Sequence, residues 1–454
     1  MKKDAQQEKV IKMTTQPVEG LIGKLAIPTI ISMLVITFYN LADTYFVGKI
    51  NTSATGAVGV VFSFTAILQA VGFFFGHGSG NFISKALGSG QQDKAERMAA
   101  TGFFLSIAAG AVIGLLSFIF LEPLSRLLGA TDTILPYAKS YLRYILIGSP
   151  FITSSFVLNN QLRFQGNAMF AMVGIGAGSV INIALDPLFM FKFSMGIAGA
   201  AIATVLSQII SFFLLVGAIL KSDSIKIKPR LFTPTKEYIS EIFRGGIPSL
   251  ARQGLAGVST IFLNNAAGVY GDAAVAAMSV VSRITMFAFS ALIGFGQGFQ
   301  PVCGFNYGAG KFERVKKSFW FCIKVSAIFL TVVAIVGFCA APVIIGRFRD
   351  DPEVIKFGAI ALRAQMITLP LMSWVVISNM MLQNIGKVYR ASFLGMARHG
   401  IFLIPIVLVL PSILGIYGIL YAQFFSDILS VCCAIPIQMT VLKELDGKIE
   451  QMRK

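Results

Sequence analysis

The chain has 454 residues, of which 55% are hydrophobic and 13% charged, with a mean hydropathy of +0.76 and a formal net charge of +17. Water-soluble chains carry about 25% charged residues, so this composition excludes an ordinary soluble domain. The surplus of Lys and Arg is then read as loop charge that orients a membrane protein, not as a nucleic-acid surface.

The first 16 residues are polar and hold Lys2, Lys3, Lys9 and Lys12. No cleavable signal pattern follows, so the first apolar run is expected to be retained as a span. Twelve spans are predicted, roughly 20–47, 55–80, 95–120, 134–158, 168–191, 196–220, 241–268, 273–301, 315–345, 355–380, 389–412 and 415–440. Each is long enough for a hydrocarbon core of about 30 Å. Residues 1–19 and 441–454 read as tails. Lys221 to Ser240 is the only long polar stretch between spans and reads as a linker joining a first half, 20–220, to a second, 241–440. With both termini cytoplasmic, 25 of the 38 Lys and Arg fall on the cytoplasmic side and six outside, which sets the expected orientation.

The first span contains Pro28, which removes a helical hydrogen bond and predicts a bend or hinge. It ends in Asn40 and Asp43, three residues apart and so on one helix face. The second span is rich in glycine (Gly76, Gly78, Gly80), read as close helix packing. It lacks the Gly-Lys-Ser/Thr ending of a nucleotide loop, which argues against ATP as the energy source. The fifth span carries Asn182 and Asp186 four residues apart, with Pro187 next. The sixth carries Thr204. Asp427 lies in the twelfth span, where Arg252, Arg283 or Lys324 could pair with it.

A charge in a bilayer is costly, so each intramembrane carboxylate is a functional candidate. Oxygen ligands of the first half suit a hard cation such as Na⁺, and carboxylates withdrawn from water can also take up H⁺. The plainer alternative is helix-to-helix hydrogen bonding. His77 and His399 have no metal-ligand spacing and read as structural. Cys303, Cys322, Cys339, Cys432 and Cys433 read as buried thiols.

The halves repeat at an offset of 220 residues. Ile27-Pro28 meets Ile247-Pro248, Gly76 and Gly78 meet Gly296 and Gly298, and Leu142-Arg143 meets Leu362-Arg363. Asn159, Leu162 and Gly166 meet Asn379, Leu382 and Gly386, and at offset 219 Gly196-Ile197 meets Gly415-Ile416. Six spans per half make this a parallel repeat about an axis along the membrane normal, with substrate expected between the halves. The halves differ chemically, because the position matching Asp43 is Leu263, followed by Asn264 and Asn265.

Several of these segments resemble the MATE family of multidrug and toxic compound extrusion transporters, in its MepA-like bacterial branch. They are Ala26-Ile27-Pro28, Asn40-Leu-Ala-Asp43-Thr44, Leu162-Arg163-Phe164-Gln165-Gly166, Gln297-Gly298-Phe299-Gln300-Pro301 and Asn306-Tyr307-Gly308-Ala309. The resemblance covers about 20–440. It implies an all-α membrane fold of twelve helices in two pseudo-symmetric six-helix bundles forming a V. It also implies export of bulky cationic or lipophilic drugs in antiport with H⁺ or Na⁺ by alternating access, with no cofactor and no enzymatic activity. Carried over by motif, the cation site would be Asp43, Asn182, Asp186 and Thr204, with Tyr141 as the matching tyrosine and Pro28 as the hinge. Asn40, Asn264, Asn265 and Asp427 are candidates for the substrate cavity. The expected setting is a bacterial inner (plasma) membrane, with the chain working as a monomer among small-molecule drugs and lipid, without nucleic acid. A lipid-linked precursor flippase is the alternative reading.

Overall fold

The structure is a computed structural model that describes residues 2–50, 52–221 and 225–453. Residues 222–224 of the expected linker lie outside the described residues. The polar N-terminal stretch is a helix, α1 (Lys2–Thr15). The first lobe follows as α2 (Val18–Gly48), α3 (Thr52–Gly88), α4 (Gln92–Ile119), the short α5 (Leu121–Leu127), α6 (Leu135–Phe164), α7 (Ala168–Pro187) and α8 (Gly196–Lys221). The second lobe is α9 (Lys236–Gly268), α10 (Asp272–Gly308), α11 (Phe312–Cys339), α12 (Ala341–Phe348), α13 (Pro352–Thr368), α14 (Met372–Asn384), α15 (Val388–Met396), α16 (Leu403–Leu414), α17 (Ile416–Leu420) and α18 (Ala422–Arg453).

Eleven of these helical stretches are both long and apolar enough to cross a membrane. The twelfth expected span, α9, has 33 residues, about 50 Å of helix. It is less apolar because it carries Glu237, Glu241, Arg244 and Arg252. The expected span 355–380 is two helices, α13 and α14, joined by one 3-10 turn at Leu369-Pro370-Leu371. The expected C-terminal tail is the continuation of α18 to Arg453.

The repeat is visible in matched hydrogen bonds. Gln91 N–H donates to Ala86 O at 2.8 Å, and Lys311 N–H to Asn306 O at 2.8 Å. Asn167 N–H donates to Leu162 O at 2.9 Å, and Lys387 N–H to Leu382 O at 2.8 Å. Each pair closes a helix through a left-handed glycine: Gly90 and Gly310 (φ 75° and 74°), then Gly166 and Gly386 (φ 79° and 83°). Side chains match too, since Asn159 donates to Ala171 O at 2.8 Å and Asn379 to Ala391 O at 2.6 Å.

The lobes meet along α3 with α9 and α2 with α10. Glycine lets the backbones close. A Cβ on Gly78 would stand 2.3 Å from Ile242 O, and one on Gly298 would stand 2.6 Å from Ala26 N. Polar side chains fasten the same seam. The His77 ring meets Ser249 Oγ through Nδ1 at 2.7 Å and Arg163 through Nε2 at 3.1 Å, while Gln383 donates to Ser249 at 2.7 Å. The seam runs up to Thr37 and Ser290, whose hydroxyls are 2.9 Å apart. At its other end both termini dock on the α10–α11 turn. Lys311 donates to Thr14 O at 2.9 Å, Lys448 to the Tyr307 hydroxyl at 3.0 Å, and Lys316 pairs with Asp446. The lobes are therefore closed against each other on the face that carries both termini.

The cysteines depart from expectation. Cys303 and Cys322 are buried, but Cys339 and Cys432 are exposed and Cys433 is intermediate. A small apolar thiol is as compatible with the outer surface of a membrane helix as with a core. All five are free.

Candidate functional site

The polar residues of the first lobe converge because of a ladder on α7. Gly174, Gly178, Asn182 and Asp186 recur every four residues and so form one face. The two glycines bring α8 close. A Cβ on Gly178 would lie 2.8 Å from Ser211 Cβ, and Ser211 donates to Gly174 O at 2.9 Å. Pro187 ends the regular helix, and Leu188–Lys192 continues as a wider π turn. Gly199 of α8 packs directly on the Phe189 backbone in that turn, where a Cβ would come within 2.7 Å. This close approach sets Thr204 opposite Asn182 and Asp186.

Asp186, Asn182, Tyr141 and Thr204 are all buried. Asn182 donates to Asp186 Oδ1 and Thr204 Oγ1, both at 3.3 Å. With its amide turned over, it donates to Asp186 Oδ2 at 3.2 Å and accepts from the Thr204 backbone N–H at 3.2 Å. The turned form gives both amide atoms a suitable partner. The Tyr141 hydroxyl is 3.3 Å from Thr204 Oγ1 and stands beside Asp43. Asp43 comes in from α2, and its Oδ1 is buried with no hydrogen-bond partner.

The structure thus brings Asp43, Tyr141, Asn182, Asp186 and Thr204 into one group of four helices. It adds Tyr39, which stands close to Asp43, Asp186 and Thr204. Tyr39 was absent from the expected set, although its position four residues before Asp43 places it on the same helix face. Two carboxylates with an amide, a hydroxyl and phenols make an oxygen-rich pocket, able to hold a proton or a small hard cation. Among the described residues no three His, Cys, Asp or Glu side chains gather as a transition-metal site would need.

Pro28 lies inside an otherwise continuous α2, and Ser32 Oγ donates to its carbonyl at 3.0 Å. Asn40 is half-buried one turn before Asp43.

In the second lobe the residues expected near a cavity behave differently. Asn264 is half-buried and Asn265 exposed, and neither lines the lobe's cavity of about 390 Å³; Leu263 does. Asp427 does not line it either. None of Arg252, Arg283 and Lys324 pairs with Asp427; its partner is Arg398, whose Nε donates to Oδ1 at 2.8 Å. Arg398, inside the expected span 389–412, sits in a π-helical stretch, Ala397–Phe402, that packs against α18. Thr368 and Gln423 complete the Asp427 shell at 3.0 and 2.7 Å. This carboxylate is neutralised and saturated, whereas Asp43 is not. His399 lines the cavity, and His77 belongs to the seam.

Comparison with known proteins follows the same two-part division. The MatE family model matches residues 28–188 and again 248–409. The multidrug export protein MepA of Staphylococcus aureus (strain MSSA476) is 27% identical over 432 residues, covering 95% of each chain. Its namesake from Staphylococcus saprophyticus is 27% identical over 414 residues, 91% of each. Among solved structures, an outward-facing multidrug resistance MATE family transporter of the MOP superfamily superposes with a TM-score of 0.90 at 25% identity, covering 96% of this chain and 98% of that one. A crystal structure of MATE in complex with MaL6 gives 0.91 at 25% identity, covering 96% and 99%.

Proposed function

Since this chain belongs to the MatE family, we propose that it is a multidrug efflux transporter whose first lobe couples export to cation entry. The observation that carries the reading is the meeting of Asp43 and Asp186 with Asn182, Thr204 and Tyr141, with one Asp43 oxygen left unpartnered. A carboxylate oxygen withdrawn from water without a donor is costly, so the group favours an arriving H⁺ or Na⁺. The saturated Asp427 offers no such vacancy.

Both termini lie on the closed face. Taken as cytoplasmic, as the basic loops suggest, they make this an outward-open state in a bacterial plasma membrane. H⁺ or Na⁺ then enters from outside to Asp43 and Asp186. Neutralising the pair rearranges α2, with Pro28 as the bending point, and drug leaves outward. The lobes, 20–220 and 241–440, rock to the opposite state for the next drug. Linkage requires drug and cation to weaken each other equally. Drugs of this kind are bulky, cationic or lipophilic, and a monomer suffices because the cavity lies within one chain.

The test uses proteoliposomes loaded with a fluorescent cationic drug. A pH jump and a Na⁺ jump are applied separately, to the unmodified chain and to Asp43→Asn. One jump should drive export in the unmodified chain, and neither should drive it in the variant. Full gradient-driven export by Asp43→Asn would refute this coupling site.

A further inference from the structure

The second lobe carries a half-open cavity of about 390 Å³, lined chiefly by α9, α10, α14 and the Arg398 stretch. Small-ligand pockets span about 300–1,000 Å³. One wall is apolar, with Met286, Phe289 and Leu403; another presents Arg252, Arg398 and Gln423. Among the described residues no Asp or Glu lines it.

The two arginines are not equivalent. Arg398 pairs with Asp427 on one side and lies over the Phe289 ring, 3.9 Å from its centroid. Among the described residues Arg252 hydrogen-bonds only a neutral acceptor, donating to Asn379 Oδ1 at 3.2 Å. Asn379 is itself held by its bond to Ala391 O. A guanidinium carries five donors, so most of those of Arg252 are open to the cavity. An uncompensated cation at this depth is costly, and the cost is relieved when an anion arrives. The sign is opposite to that of the first lobe, where the free charge is carboxylate.

We propose that this cavity binds an amphipathic organic anion, with one carboxylate or phosphate group on Arg252 and the apolar body against Met286 and Phe289. Arg252 is a binding residue for that group, and Arg398, already neutralised, is a positioning residue that holds Phe289. The inference concerns the second lobe alone and does not depend on cation coupling at Asp43.

The test measures binding of dansyl-phenylalanine and of its uncharged amide to the full chain in phosphatidylcholine nanodiscs. The carboxylate should bind roughly tenfold tighter or more, the worth of a charged hydrogen bond. Arg252→Gln should erase that preference while keeping the amide affinity, and Arg252→Lys should keep part of it. Ala256→Phe, which fills the cavity, should weaken both probes and serves if Arg252→Gln does not fold. Equal affinities in the unmodified chain, a preference that survives Arg252→Gln, or full binding to Ala256→Phe would each overturn the proposal. Nanodiscs of phosphatidylglycerol separate the sources. Displacement of the probe there supports a lipid phosphate as the occupant, and undiminished binding supports a soluble anion.

Discussion

Replacing Gly78 by Ala should shift the protein away from the closed seam. The added Cβ would stand 2.3 Å from Ile242 O across the lobes. Ordinary contact begins at 3.4 Å, so α3 and α9 must part by about 1 Å. Overpacking of this kind costs typically about 1–3 kcal/mol. The penalty falls only on the state in which the lobes touch, whereas the helix preference for Ala over Gly is common to both states and cancels. At about 1.4 kcal/mol per factor of ten, a cost of about 1–3 kcal/mol raises the open population roughly five- to a hundredfold. Cys303 reports this directly. It is fully buried on α10, close enough to Lys85 of α3 for the two side chains to interact electrostatically. Its alkylation by N-ethylmaleimide, followed by mass spectrometry, should accelerate by a similar factor, with the equally buried Cys322 as internal reference. Gly59→Ala is the matched control, because a Cβ there meets nothing within 4 Å. Equal Cys303 rates in Gly78→Ala, Gly59→Ala and the unmodified chain would refute the idea that this glycine contact holds the seam.

Asp427→Asn should destabilise the second lobe by about 3–5 kcal/mol, because it leaves Arg398 without its counter-charge; thermal unfolding should show that Asp427→Asn with Arg398→Gln recovers much of the loss. Gly90→Ala and Gly310→Ala should each cost about 1–2 kcal/mol, since both force a Cβ into left-handed backbone at φ near 75°; unequal shifts in melting temperature would argue against equivalent helix ends in the two lobes. Asn182→Ala removes the donor to Asp186 and the contact to Thr204, and should weaken gradient-driven export at least tenfold while drug binding, followed by fluorescence polarisation, persists. Tyr39→Phe should reduce export less than Asp43→Asn does, in the same proteoliposome measurement, because it removes a hydroxyl and leaves both carboxylates.

Membrane class and the two-part repeat were legible in the chain, as were most members of the candidate first-lobe cluster. Apolar length is a local property, and a repeat offset needs no three-dimensional information. Asn182 with Asp186 was legible because a four-residue spacing places both side chains on one helix face. Tyr39 obeyed the same spacing, but a tyrosine carries no charge to mark it in an apolar run. Helix breaks were less visible: the α13–α14 turn and both π stretches depend on neighbouring helices as much as on Pro370 or Pro187. Tertiary structure alone decided which charges meet. Asp427 had three candidate partners by span position, yet its partner is Arg398 on the π-helical stretch that packs against α18. His77 joins Ser249, 172 residues away, through a seam set by glycine contacts. Such pairings depend on how close two helices come and at what register, and no single helix encodes either quantity. The opposite polarity of the two lobes is of the same kind: Asp43 and Arg252 were both readable as charges, but only packing left one with an unpartnered oxygen and the other bonded to a neutral acceptor.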